Sequence, residues 1–184
     1  MGIIHQPPSV LPIVAIFSRH EDAFERIKPP LELLWGKVAL ESDLFPFEQT
    51  NYYEASMGAS LKKQLLAFLP LIDPVRLAEM KIQSNALEED VARNGNFADS
   101  RPINIDPGYV DLGKLVLASS KDFAHRIYLQ QGIFAEITLF YSKGAWRDHP
   151  WTFPDYREST YHSFLNQCRE IVFRERKIGN VKIS

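Results

Sequence analysis

Between residues 104 and 136 the chain concentrates side chains that hold charge or carry protons: Asp106, Tyr109, Lys114, Lys121, His125, Arg126, Tyr128 and Glu136. Lys114, Lys121 and Arg126 fall close together in a chain whose net charge is −2. A guanidinium matches a carboxylate or phosphate through two parallel contacts, and an ammonium acts as a point charge. The cluster therefore suits a small anionic or phosphorylated ligand. Arg126, Lys114 and Lys121, with Tyr109 and Tyr128 beside them, are the candidate binding residues. Glu136, His125 and Asp106 are of the types that move protons in acid–base chemistry. Ser119 and Ser120 add short hydroxyl donors next to Lys121.

Register decides which of these side chains can meet. With Gln130, Gln131 and Gly132 as a hairpin loop, Leu129 faces Ile133, Tyr128 faces Phe134, Ile127 faces Ala135 and Arg126 faces Glu136. Ile127, Leu129, Ile133, Ala135, Ile137 and Leu139 then share one face, expected to be core. Arg126, Tyr128, Phe134, Glu136 and Thr138 share the other, and a one-residue slip would mix the two sets. In this register His125 points away from Glu136. The polar face has two readings. It is a solvated surface with a cross-strand ion pair worth roughly 0.2–1 kcal/mol, or a binding floor where Arg126 grips an anion and Glu136 orients it.

Other chemistries find less support. There is no phosphate loop, no dinucleotide glycine fingerprint and no His-Glu-x-x-His. A nucleotide held on a sheet floor stays open. His125, Glu136, Asp106, His149 and Asp155 lack the close spacing of a metal set, so no metal site is assigned and no cofactor is specified. Cys168 lies on the stripe Phe164, Leu165, Cys168, Ile171, Val172, which is the core face of a helix. A thiol there is packing rather than a nucleophile. The stretch from Trp146 to Tyr156 also holds Trp151 and Phe153. It either packs across the sheet edge or the last helix, or forms a lid or partner surface.

The elements that must position these residues can be read along the chain. A strand spans 12–17, and Ser18 with Glu21 has capping-box spacing. A helix with Ala23, Phe24 and Ile27 on one face follows, and Pro29-Pro30 is expected to break or kink it. Gly36 ends its continuation, and residues 37–47 form a second strand. Residues 61–71 are ambiguous between helix and strand. Asp73-Pro74 starts a helix, with Leu77, Met80, Leu87 and Val91 on one face. A short strand at 78–82, with a helix only from Ser84, is the competing pattern. A strand at 103–105, a turn at Asp106-Pro107-Gly108-Tyr109, a strand at 115–118 and the hairpin make a C-terminal β-meander. A final helix spans 158–177.

The 184 residues are 45% hydrophobic and 24% charged, ordinary for a globular chain. They suffice for one domain over 1–184. No run of Lys or Arg supplies a basic stripe, so nucleic acid is an unlikely partner. The single cysteine fits a reducing compartment. The N-terminus lacks the basic segment of a secretory leader, and the apolar run 10–17 is too short to span a bilayer. The expectation is a cytoplasmic protein with no membrane contact.

Several strings together resemble one bacterial family. They are Asn104-Ile105-Asp106-Pro107-Gly108-Tyr109, Lys114 to Ala118, Lys121-Asp122, and His125 to Leu129. Gly132 to Leu139 and Pro150-Trp151-Thr152-Phe153-Pro154-Asp155-Tyr156 belong with them, as does Thr50-Asn51-Tyr52-Tyr53-Glu54 with Met57-Gly58. The family is the domain of unknown function numbered 4416, and the likeness covers about residues 12–165. It implies a stand-alone bacterial protein and brings no activity with it. Asn51 departs from the pattern, which has an acidic residue there.

The fold expected is α+β: an antiparallel, ferredoxin-like βαββαβ sheet with a C-terminal β-meander and flanking helices. The function expected is binding of a small anionic or phosphorylated ligand on the polar face of the sheet, with or without a reaction. The alternative is a non-catalytic protein-interaction module. It would use the aromatic loop 146–156 or a sheet edge to meet a protein partner or a second copy.

Overall fold

The computed structural model describes residues 2–47 and 54–181. The Thr50-to-Tyr53 motif, with its Asn51, lies outside them. Strand β1 (Leu11–Ser18) is buried along its whole length, as an unbroken apolar run requires when both faces of a sheet are covered. Helix α1 (Glu21–Trp35) leads to β2 (Lys37–Glu41) and β3 (Phe45–Pro46). A single turn, α2 (Glu54–Met57), precedes β4 (Lys62–Leu69), and α3 (Leu77–Asn94) leads to β5 (Asn104–Val110). The order β2-β4-β1-β5 is antiparallel throughout. It is the expected ferredoxin-like core. The meander β6 (Lys114–Ser119), β7 (Ile127–Gln130), β8 (Ile133–Ser142) and β9 (Ala145–Asp148) continues the sheet as β6-β8-β7, with β9 on β8. Helix α4 (Ser159–Val181) closes the chain described.

Two helix layers sandwich this sheet. Phe24, Ile27, Leu31 and Trp35 of α1 and Met80 of α3 pack on Val14, Ile16, Leu66, Phe68 and Ile105. On the other face Phe164, Leu165, Cys168 and Val172 of α4 cover Leu11, Ile13, Ala15, Leu65, Leu115 and Leu139. No helix among the described residues is long and apolar enough to cross a membrane.

Several local expectations are corrected. Pro29 and Pro30 sit inside an unbroken α1. Both lie off its buried face, so the carbonyls they fail to satisfy turn toward water while the apolar stripe holds the helix together. Ser18 does not cap α1. Its hydroxyl accepts from the His20 amide at 2.9 Å and donates to the Pro102 carbonyl at 2.6 Å. The stretch 37–47 is two strands, both paired with β4. The competing pattern at 78–82 resolves as helix. Asp73 accepts from the Val75 amide at 2.9 Å and launches a short 3-10 turn, Pro74–Arg76, that runs straight into α3.

Asp106-Pro107-Gly108-Tyr109 is not a turn but the middle of β5, paired along its length with β1. Its Pro and Gly act on the other neighbour. Gly108 lets β6 approach closely, because a Cβ there would stand 2.4 Å from the Val116 carbonyl oxygen. Pairing with β6 covers only Gly108, Tyr109 and Val110. The next residue facing β6 is Pro107, which has no N–H to donate. The two strands part at that point.

The hairpin keeps the expected pairs Ile127 with Ala135 and Tyr128 with Phe134, but Gln130 pairs Ile133 across a bulge at Leu129. The loop is therefore the two residues Gln131-Gly132, at φ 52° and 76°. This is the twist that a two-residue hairpin favours. The burial of the two faces departs from expectation. Ile127 is 73% exposed and Ile137 42%, whereas Glu136 and Thr138 are buried. The apolar patch on α3 (Leu77, Ala78) reaches Val116, Ala118, Ile133 and Ala135, leaving the outer apolar residues uncovered. The polar face is the inward one.

Candidate functional site

Where β5 and β6 part, a cavity of about 600 Å3 opens on the α4 side of the sheet. That volume is typical of small-molecule sites. Its floor is Asn104, Asp106 and Leu117; Lys81 comes from α3, Ser119 to Arg126 from the segment after β6, Glu136 from β8, and Phe153 to Asp155 from the turn before α4.

Lys81 fills the breach in the ladder. Its Nζ donates to the Ile105 carbonyl and to Asp106 Oδ1, each at 3.0 Å. Two turns further along α3, Glu88 Oε1 accepts from the Ile105 amide at 2.8 Å. Two side chains of α3 thus take the ladder bonds that β6 leaves unmade, as buried backbone polar groups require. Asp106 Oδ2 accepts from Asn104 Nδ2 at 2.7 Å. Arg101 donates to Asn104 Oδ1 and, at 3.0 Å, to Glu88 Oε2. Burial opposes ionisation of Asp106, but the charge and hydrogen bond of Lys81, with Lys63 and Asn104, outweigh it and hold the carboxyl below its usual range. Burial dominates at Glu88, pushing it above the usual range against the pull of Lys81, Arg101 and the Ile105 amide.

The opposite wall is a second ion pair. Arg126 Nε donates to Glu136 Oε2 at 2.8 Å, and the two side chains are 5% and 2% exposed. Arg126 Nη1 donates to Ser119 Oγ at 2.5 Å and to the Lys121 carbonyl at 3.0 Å. Thr138 holds Glu136 Oε1 at 3.2 Å. His125 stands behind this pair, with Nε2 3.3 Å from Glu136 Oε2. Strand alternation alone would place them on opposite faces. His125 precedes β7, so strand alternation does not fix its direction. Its ring stacks on Trp151 at 5.2 Å, and Trp151 stacks on His149 at 4.6 Å. Trp151 Nε1 pins the loop to the Ile137 carbonyl at 3.1 Å.

A third pair closes one end. Lys63 Nζ donates to Asp155 Oδ2 at 2.5 Å, and Tyr161 donates to the same oxygen at 3.1 Å. Lys63 lies within 4.5–5.8 Å of the ring centres of Tyr156, Phe47, Tyr161 and Phe17. Such faces are attractive to a cation. Burial and the neighbouring Asp155 push the Tyr161 hydroxyl far up, so it stays a donor.

Of the residues the sequence singled out, Asp106, Lys121, Arg126 and Glu136 line the cavity. His125 supports Glu136 from behind. Lys114 pairs opposite Phe140 at the far end of β6, Tyr109 packs toward α3 on the other face, and Tyr128 lies exposed on β7. None of these three lines it. The sequence reading missed Lys81, Asn104, Lys63 and the pairing role of Asp155. One signal was available: Lys81 shares its helix stripe with Leu77, Ser84 and Glu88, which puts a charge where core belongs. Among the described residues no three His, Cys, Asp or Glu side chains are grouped to hold a metal.

A ferredoxin-like α+β sheet extended by a meander, with a polar cavity where the two parts separate, is the class these features define. A family model, Domain of unknown function (DUF4416), matches residues 8–171 of the chain, and the protein belongs to that family. No curated protein and no solved structure matches it.

Proposed function

We propose that the protein binds a small anionic ligand in the cavity between β5 and β6. One observation carries this reading: two buried cations line the space with donors unspent. Lys81, its side chain 7% exposed, has three N–H groups and uses two. Arg126 uses Nε and Nη1, and its Nη2 has no partner among the described residues. An oxyanion in the cavity would take up both spare donors in charge-assisted hydrogen bonds. Asp106, held below its usual range, is a weak base and a fixed negative charge that orients Lys81. Binding is therefore better supported than proton transfer at this residue. The buried, lone Cys168 suits a reducing location such as the cytoplasm.

The test is thermal unfolding in phosphate or sulfate against chloride at equal ionic strength. The oxyanions should raise the midpoint; a ligand at 100 times its Kd adds about 2.7 kcal/mol. Arg126→Gln and Lys81→Met, each read against its own chloride baseline, should lose the difference. Equal responses to chloride and phosphate in the parent protein would refute the site.

A second reading rests on β7. It is the outermost strand, all four residues are exposed, and Ile127, Leu129 and Ile137 form an uncovered apolar strip. Open apolar edges invite strand pairing. Sedimentation over a range of concentrations should reveal association that Ile127→Lys abolishes; a monomer at all concentrations would count against it.

A further inference from the structure

The geometry points to a ligand that carries a flat aromatic ring as well as its anionic group, of the nucleoside phosphate kind. This rests on the anion reading of the same cavity and adds two observations. The first is a pair of rings at the wall. Phe123 and Phe153 both line the cavity and are 49% and 50% exposed. Phe153 has no ring partner among the described residues, and Phe123 carries the Arg126 guanidinium over one face, Cζ 4.6 Å from its centre, with the His125 ring 5.9 Å away. Phe123 therefore sits directly beside the Arg126 donor. A ring stacked on it would hold an attached phosphate within reach of Arg126. Stacking on an aromatic side chain is sequence-tolerant and is worth roughly tenfold in affinity per base.

The second observation is an acceptor with nothing to accept. Asp155 is 4% exposed and lines the cavity. Its Oδ2 takes both Lys63 and Tyr161, while Oδ1 has no hydrogen bond among the described residues. Lys63, held among four rings, fixes the carboxylate in place. A sugar hydroxyl or a ring amino group entering the cavity would supply Oδ1 with a donor. Donors for an oxyanion at Lys81 and Arg126, open rings at Phe123 and Phe153, and an acceptor at Asp155 together describe a phosphorylated, hydroxylated molecule with a planar base. The absence of a phosphate loop is consistent with this. Here side chains across a sheet gap, rather than a glycine-rich backbone, face the charge.

The experiment compares adenosine 5′-monophosphate, ribose 5-phosphate and inorganic phosphate by thermal shift and isothermal titration on the full chain. Adenosine 5′-monophosphate should bind at least about tenfold tighter than ribose 5-phosphate. Phe123→Ala and Phe153→Ala alter exposed side chains and should fold normally. Both should bring the nucleotide down to the level of ribose 5-phosphate, and Phe153→Ala, away from the Arg126 guanidinium, should leave the phosphate response intact. If phosphate and ribose 5-phosphate stabilise the protein but the nucleotide adds nothing, the ring reading is overturned and the anion site stands. If none of the three binds, both fall. A nucleotide advantage that survives both phenylalanine substitutions also overturns the ring reading.

Discussion

Lys81 occupies the position of a missing strand: its ammonium donates to the Ile105 carbonyl at 3.0 Å, where β6 would otherwise have supplied an amide. The same ammonium is tied to Asp106 at 3.0 Å. A single helix residue thus both seals the sheet and floors the cavity.

Replacing Lys81 with Met should therefore destabilise the fold, not only the site. Removing one partner of a buried pair costs on the order of 3 kcal/mol, less here because Asp106 keeps some contact with water. The double change Lys81→Met with Asp106→Leu should recover part of the loss. Urea denaturation of the three variants checks this, and additive losses would contradict the pairing.

Asp106 and Glu88 should give opposite pH signatures. The folded protein binds the Asp106 proton less readily than the unfolded chain does. Its contribution is present above the unfolded value, about 3.9, and is lost as pH falls through the lower folded value. Glu88 is raised, so the folded state holds its proton more firmly. Stability then declines as pH rises from about 4.3 through the folded value. Asp106→Asn should flatten the acid limb below pH ~4, and Glu88→Gln should remove the decline above it. Denaturation midpoints across pH 3–7 for each variant decide the matter.

Pro107→Ala should narrow the site. It restores an N–H at the first unpaired position of β5 facing β6, allowing one more ladder rung opposite Ala118. The expected outcome is a new slowly exchanging amide at 107, unchanged or higher stability, and a weaker response to phosphate. A fast-exchanging amide there would mean the strands are held apart by something else.

Cys168 should be inert. It is fully buried on α4, and burial pushes its thiol well above the usual range. A bulky thiol reagent should react only on unfolding. Cys168→Ala should cost about 1 kcal/mol and leave anion binding unchanged.

Much of the fold was legible because apolar periodicity is a strong signal. The runs at β1 and the meander, the α4 stripe and the Asp73-Pro74 start all correspond to observed elements. Asp106-Pro107-Gly108-Tyr109 misled because the composition that makes a turn also makes a strand interruption, and only the neighbouring strands decide which. The hairpin faces misled for a related reason. Alternation sorts residues into two sets, but which set is buried depends on how far α3 reaches. Arg126 and Glu136 could be paired from register alone. Lys81 could not be joined to Asp106, since their meeting depends on a gap between strands that no local pattern encodes.

The cavity draws Lys81 from one helix layer and Asp155 from the other, with the sheet between them. A molecule that touches both works as a rivet through three layers rather than a cap on one. Its binding should slow amide exchange in α3 and at the start of α4 together.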